Sequence, residues 1–271
     1  MSERTRVLLW RLAILVVLVG AWEWLTGIKA ISRTPGLYWI DPFFISRPSL
    51  IAKRFAYLAG GQVRLSIWQM ALSTVQSTLW GFLVGVSTGF AAGLVLGRND
   101  RLARILSPYI IAFNSLPRIA LVPLITMIFG FGLLAKIVLA WTIVFFIVFF
   151  NTFQGARSVD ADLIHSARFL GGTDRQIMRT VIVPSALAWT FASLTPSISF
   201  ALIGVVVGEF LGGESGGGLG YLIIQSLGTL NAADMMVALI ALGVIGIAMA
   251  LGIKQIEKRL LRWRPEYRSR T

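Results

Sequence analysis

Long apolar runs separated by short polar stretches dominate this chain, and their lengths decide its class before any single residue does. The runs occupy residues 8–26, 67–97, 105–129, 133–154, 181–208 and 232–253. Each is near the ~20 residues that carry an α-helix across the hydrocarbon core of a bilayer. Helices satisfy their own backbone hydrogen bonds, which lipid cannot do for them. The pattern therefore predicts an all-α, polytopic membrane protein with about six transmembrane helices, residues 1–271 forming one membrane domain. A basic stretch from Met1 to Trp10 leads into the first run, as in a signal peptide. Trp22, Glu23 and Trp24 stand where a small-residue cleavage site would lie, so the first run is read as a retained span.

Finer patterns lie inside the runs. Gly81, Gly85, Gly89, Gly93 and Gly97 recur every four residues, a spacing that aligns them on one helix face and favours a close helix crossing. Pro108, Pro117 and Pro123 in the third run, and Pro196 in the fifth, remove backbone donors and are expected to bend their helices. Between the first two runs, Arg47-Pro48-Ser49 opens a segment whose Leu50, Ile51, Phe55 and Leu58 share helical spacing. That helix either lies on the membrane surface or packs on its neighbours.

Composition agrees with the runs: 56% of residues are hydrophobic and only 14% charged, against roughly a quarter charged in a soluble domain. A net charge of +13 raises the question of nucleic acid, but a basic face needs a water-soluble scaffold to present it. The cations instead sort by side, as the positive-inside rule requires. With the N-terminus inside, Arg4, Arg6 and Arg11, then Arg98, Arg101 and Arg104, then Arg157, Arg168, Arg175 and Arg179, and a basic tail from Lys254 to Arg270 are all cytosolic. Both termini are then cytosolic, and residues 208–231, with Glu209 and Glu214 but no Lys or Arg, lie outside. The stretch 27–66, with Lys29, Arg33, Arg47, Lys53, Arg54 and Arg64, is the exception; longer loops follow the rule less strictly. The absence of cysteine excludes disulfides, thiol catalysis, zinc-thiolate sites and iron–sulfur clusters from this chain.

The segment 156–184 carries the most information. Leu163, Ala167 and Leu170 fall on one helical face. Gly171-Gly172 ends that helix, and Thr173 with Gln176 forms a capping-box start for a second. The apolar face of this helix–turn–helix either packs on the chain itself or enters a groove on a partner.

The spacing of HSARFLG, nine residues, then VIVP resembles the EAA loop of permeases of ATP-binding-cassette importers, with Ala167, Gly171, Val181 and Pro184 at matching positions. RPSLIAKRF, STVQSTLWGFLVGVSTGFAAGLVLGR, LPRIALVPLITMIFGFG, VVGEFLGG, GLGYLI and RLLRW extend the resemblance over most of the chain, toward the nitrate/sulfonate/taurine branch of that family. His165 and Ser166 stand where the motif has an acidic residue and its neighbour, and Leu194-Thr195-Pro196 lies where relatives carry an arginine. The resemblance implies a type I importer permease (MetI-like) fold in a bacterial inner membrane. It implies a permease homodimer, with the loop residues Leu163, His165, Ser166, Ala167, Arg168, Leu170, Gly171, Thr173, Val181 and Pro184 docking into an ATPase subunit. A substrate-binding protein outside, and a substrate of sulfonate, taurine, nitrate or aromatic-acid type, are also implied; FALIGVVVGEFLGG is similar as well to permeases for pyrimidine precursors of thiamine. No Walker A sequence is present. ATP and Mg are thus expected on the partner subunit, with no cofactor, metal or catalytic residue on this chain. The glycine-rich GGESGGGLG is read as a tight turn before a short helix at 219–227, which the resemblance places at the outer gate.

Charges within spans are costly and face protein or water, which singles out Glu23, Arg118, Lys136, Glu209 and Asp234. Lys136 and Glu23 lie near helix ends and are read as snorkelling to the interface. Arg118, between Pro117 and Pro123, either presents its guanidinium to an anion or neutralises Glu209 or another buried acid. Asn114, Ser115, Arg118, Ser197, Ser199 and Glu209 are the candidates for a translocation path. A secondary transporter would show internal repeats with embedded acids, and an intramembrane enzyme a nucleophile with its base; neither pattern is found.

Overall fold

The computed structural model describes residues 3–28, 40–61, 66–213 and 217–260. Lys29, Arg33 and Arg64 of the first loop, Glu214, the side chain of Arg4 and the tail beyond Leu260 lie outside the described residues. Among the described residues the regular structure is helical, and five helices are long and apolar enough to cross a membrane, or six if one bent pair counts as a single span.

Helix α1 (Glu3–Gly27) leaves its apolar window exposed and, near its own C-terminal end, where Thr26 is buried, packs on the helix of residues 48–59. There Glu23 accepts hydrogen bonds from Ser49 N–H (2.9 Å) and Ser49 Oγ (2.8 Å). Glu23 thereby satisfies a free amide in the first turn of the helix it faces, where a negative charge is favoured. A one-turn helix α2 (Pro42–Ile45) leads into that helix, α3 (Pro48–Ala59). Its apolar residues divide: Ile51 and Leu58 pack with Ile67, Met70, Leu219, Leu222, Val237 and Ala238, while Leu50 and Phe55 stay exposed.

The centre of the bundle is the pair α4 (Ile67–Arg98) and α7 (Leu133–Arg157). Ser66 starts α4 with a capping box, its hydroxyl accepting from Gln69 N–H and its own N–H donating to Gln69 Oε1. The glycine row of α4 meets Ala140, Val144, Val148, Thr152 and Ala156 of α7. A Cβ on Gly85 would lie 2.6 Å from Val144 Cβ, and one on Gly89 would lie 2.7 Å from the carbonyl oxygen of Phe145. Absence of side chains on that row is thus what lets the two backbones touch, as the four-residue spacing predicts.

The third apolar run is not one helix. It divides into α5 (Asp100–Ser115) and, after a turn of 3₁₀ helix (Arg118–Leu121), α6 (Val122–Phe129), with 82° between the two arms. Leu116 and Pro117 at the break are extended, because a residue preceding proline is pushed out of the helical region. Pro108 sits within α5, while Pro123 occupies the first turn of α6, where a missing N–H costs nothing.

Helices α8 (Ala161–Phe169) and α9 (Asp174–Ile177) form the loop after α7. A π-helical turn (Met178–Ile182) joins α9 to α10 (Val183–Leu211), so that residues 174–211 run as one helix of 38 residues with Pro196 inside it. Phe82, Ala140, Val144, Val148, Leu194, Ile198, Ala201 and Val205 form the core between α4, α7 and α10. Helices α11 (Leu219–Gly228) and α12 (Ala232–Leu260) complete the chain.

Candidate functional site

The loop of 158–182 is built by local capping. Asp160 caps α8 by accepting from Asp162 N–H at 3.0 Å. Its end is closed at Gly171, where φ is +79°, with Gly172 N–H donating to Ala167 O (3.0 Å) and Gly171 N–H to Arg168 O (2.9 Å). Glycine occupies this left-handed position without steric cost. Thr173 and Gln176 make the capping box of α9, and Arg168 reaches Asp174 across the turn at 3.2 Å. On the inner side Ile164, Ala167, Ile177, Met178, Val181 and Ile182 pack against Ala156, Ala186 and residues of α4.

The outward side differs from the single apolar face expected of Leu163, Ala167 and Leu170. Ala167 turns inward with Ile164, whereas Leu163 is 54%, Leu170 89% and Phe169 92% exposed. Phe169 escaped the sequence reading because at the helix terminus it is out of step with the stripe. His165, Ser166, Arg168, Gly171 and Thr173 are exposed beside this apolar knob, and Val181 and Pro184 are half-buried at the root of α10. Nothing in the sequence signalled the π turn.

At the opposite end of α7, Lys136 is only 3% exposed and its ammonium faces Glu209 Oε1 at 3.2 Å, Ser73 Oγ at 3.0 Å and the carbonyl of Gly217 at 3.0 Å. Glu209 is fully buried and also accepts from Thr74 Oγ1 (2.9 Å) and Gly220 N–H (2.9 Å). The reading of Lys136 as a snorkelling residue is therefore corrected, and of the alternatives for Arg118 the one that pairs it with Glu209 is removed, since Lys136 takes that place. A buried ammonium needs donors' partners on every side, and the carboxylate, hydroxyl and carbonyl supply them. The glycine-rich turn is shaped by this site: a Cβ on Gly218 would strike the Glu209 carboxylate, and one on Gly220 would lie 2.8 Å from Glu209 Cβ. Asp234, likewise singled out, receives Arg54 through two bonds of 2.6 Å and Asn231 at 2.8 Å, tying α3 to α12.

The helix break creates a groove of about 540 Å³, walled by Asn114, Arg118, Phe146, Phe150, Phe200 and Ile203 among others. Arg118 donates to Asn114 O (2.9 Å) and Asn114 Oδ1 (2.7 Å), and its guanidinium carbon stands 5.0 Å from the Phe146 ring centroid. Of the other path candidates, Ser115 and Ser199 are exposed and bond to Ile111 O and Thr195 O, while Ser197 is buried and bonds to Ser193 O. None of these serines, nor Glu209, lines the groove. Its aromatic walls were missed because Phe in an apolar span looks like any other lipid-facing residue. Among the described residues no group of three or more His, Asp or Glu is placed to hold a metal ion.

Residues 81–262 match the family model of binding-protein-dependent transport system inner membrane components. Over 256 residues the chain is 30% identical to the putative aliphatic sulfonates transport permease protein SsuC of Bacillus subtilis, covering 93% of this chain and 86% of that one. It is 32% identical over 221 residues to the riboflavin transport system permease protein RibX of Chloroflexus aurantiacus, covering 82% and 81%. In structure it is similar to a chain of the inward-facing MetNI methionine ABC transporter, with a TM-score of 0.59 and 24% identity over 72% of this chain and 94% of that one.

Proposed function

The chain belongs to the family of inner-membrane components of binding-protein-dependent transport systems, and from that premise we propose how it works within an ATP-driven importer. The chain supplies the passage and no catalytic group. ATP and Mg are held by a separate ATPase subunit, into which the knob of Leu163, Phe169 and Leu170 docks. A binding protein delivers substrate on the far side, and two copies of the chain enclose the passage. The basic clusters at both ends and in the loop, against the acidic 208–231, support cytosolic termini and a cytosolic loop.

The observation that carries this reading is the exposure of Phe169 and Leu170, 92% and 89%, at the C-terminal end of α8, a helix capped by Asp160 at its start and closed at Gly171. An apolar tip held out in this way is suited to a complementary groove, where each large side chain contributes about 1.5–3 kcal/mol on full burial. Phe169→Asp and Leu170→Asp are expected to abolish co-purification of ATPase activity with the tagged chain while leaving its thermal midpoint unchanged. A wild-type chain that purifies from native membranes with no ATPase subunit would replace this reading with a gradient-driven transporter.

For the substrate we favour a small organic anion, supported by the similarity to SsuC, a putative permease for aliphatic sulfonates. The second reading is a flat heteroaromatic solute, supported by the similarity to RibX. Uptake by a host carrying the complete importer, with labelled alkanesulfonate or riboflavin, separates the two.

A further inference from the structure

We propose that the groove at the break of the third run is a binding subsite for an organic anion with an apolar tail, Arg118 holding the anionic head. The inference rests on the importer reading and adds to it that the membrane chain itself selects its cargo.

Three features of the groove point to this ligand. First, Arg118 forms no ion pair with a carboxylate among the described residues. A guanidinium has five N–H donors in a planar fork. Two bonds go to Asn114, so donors remain free for the oxygens of a sulfonate or carboxylate. Second, the remainder of the wall is hydrocarbon and aromatic, with Phe146, Phe150, Phe200 and Ile203 prominent. Inorganic sulfate or nitrate would leave that surface unused, whereas an alkyl or aryl tail would cover it. Third, the depth is wrong for a lipid headgroup. Phe146, over which the guanidinium lies, is close to the midpoint of Leu133–Arg157, with roughly 15–20 Å of helix on either side. A phosphate sits at the interface, not at the middle of a core ~30 Å thick. Charges placed there are expensive and persist where they serve a pathway.

Asn114 is a positioning residue. Its carbonyl and amide oxygen hold two of the guanidinium nitrogens, and the ring of Phe146 covers one face, so the remaining edge is presented in a fixed orientation.

The test is titration calorimetry on the intact importer, permease with its ATPase subunit, in phosphatidylcholine nanodiscs, using hexanesulfonate and benzenesulfonate as probes and hexanol and sulfate as controls. The sulfonates are expected to bind and the controls to bind at least tenfold more weakly. Arg118→Ala is expected to lower sulfonate affinity about tenfold to a hundredfold, the range for a lost charge-assisted hydrogen-bonding partner. Asn114→Asp, which places a carboxylate against the guanidinium without removing it, is expected to do the same. Sulfonate affinity unchanged in both variants would overturn the proposal. So would Arg118-dependent binding of phosphatidylglycerol with none of sulfonate, or dissociation of a permease dimer as the sole effect of the substitutions. An ATPase that co-purifies with the chain while sulfonates fail to bind leaves the importer reading standing and removes this one alone.

Discussion

Lys136 and Glu209 show how much a charge inside a bilayer depends on its neighbours. Each is sealed from solvent, and each is supplied with further partners from α4 and the glycine-rich turn. Removing one charge leaves the other buried and unpaired, which costs about 3–5 kcal/mol in comparable pairs. Lys136→Met is accordingly expected to lower the thermal midpoint in detergent sharply, and Lys136→Met with Glu209→Gln to recover part of the loss. A double variant no more stable than the single one would show that the pair is not the source of the effect. Both residues stand out in the sequence, Lys136 as a charge near a span end and Glu209 as a path candidate, yet their pairing was not legible there. It joins positions 73 residues apart, and a lysine near a helix end looks the same whether it reaches for water or folds back onto a carboxylate. Arg118 posed the reverse difficulty: the residue was conspicuous, but the phenylalanines around it were not, because pattern alone does not tell a groove from a lipid-facing surface.

Among the elements, those specified by neighbours in sequence were read most faithfully. The glycine row of α4, the double-glycine end of α8 and the Thr173–Gln176 box of α9 each depend on residues within four positions of one another, and each is found as the spacing suggests. The third run was read as a bent span, and the sharper 82° break arises because Pro117 acts on Leu116 while Pro108 and Pro123 are absorbed within helices. The outward turn of Leu163 and Leu170 could not be taken from the stripe, since the choice of face is made by what α8 packs against, namely Ala156, Ile177 and Ile182 of neighbouring elements. The contact of α4 with α7 supplies the prediction at this scale. Gly89→Leu would drive a side chain into the Phe145 carbonyl, and overpacking of this kind costs about 1–3 kcal/mol. The expected result is a lower thermal midpoint, whereas Gly60→Ala at the end of α3, where the nearest contact is 3.2 Å, should have a smaller effect.

For the whole molecule, the order of apolar runs was enough to anticipate an all-helical membrane chain, because every run must find the same solution to its backbone hydrogen bonds. The orientation of those helices rests on charge alone. The natural absence of cysteine makes it directly measurable. A single cysteine at Ser166 should react with a membrane-impermeant maleimide only from the cytosolic face, and one at Thr229 only from the opposite face. The reverse labelling would turn the protein over in the membrane and remove the docking role of the knob.

One strut ties these scales together. The helix of 174–211 begins at the turn beneath the exposed knob and ends two residues beyond Glu209, a length of roughly 57 Å at 1.5 Å per residue. Under the docking proposal, a push at the loop would be carried along this helix toward its far end. At that far end the Glu209 carboxylate accepts from Gly220 N–H at the start of α11, and its partner Lys136 bonds the carbonyl of Gly217. The π turn interrupts the regular i→i−4 bonding near the loop end of this helix. Under the same proposal, the backlash between a stroke at the loop and its arrival at Glu209 would be governed at the two interruptions of this helix, the π turn at Met178–Ile182 and Pro196.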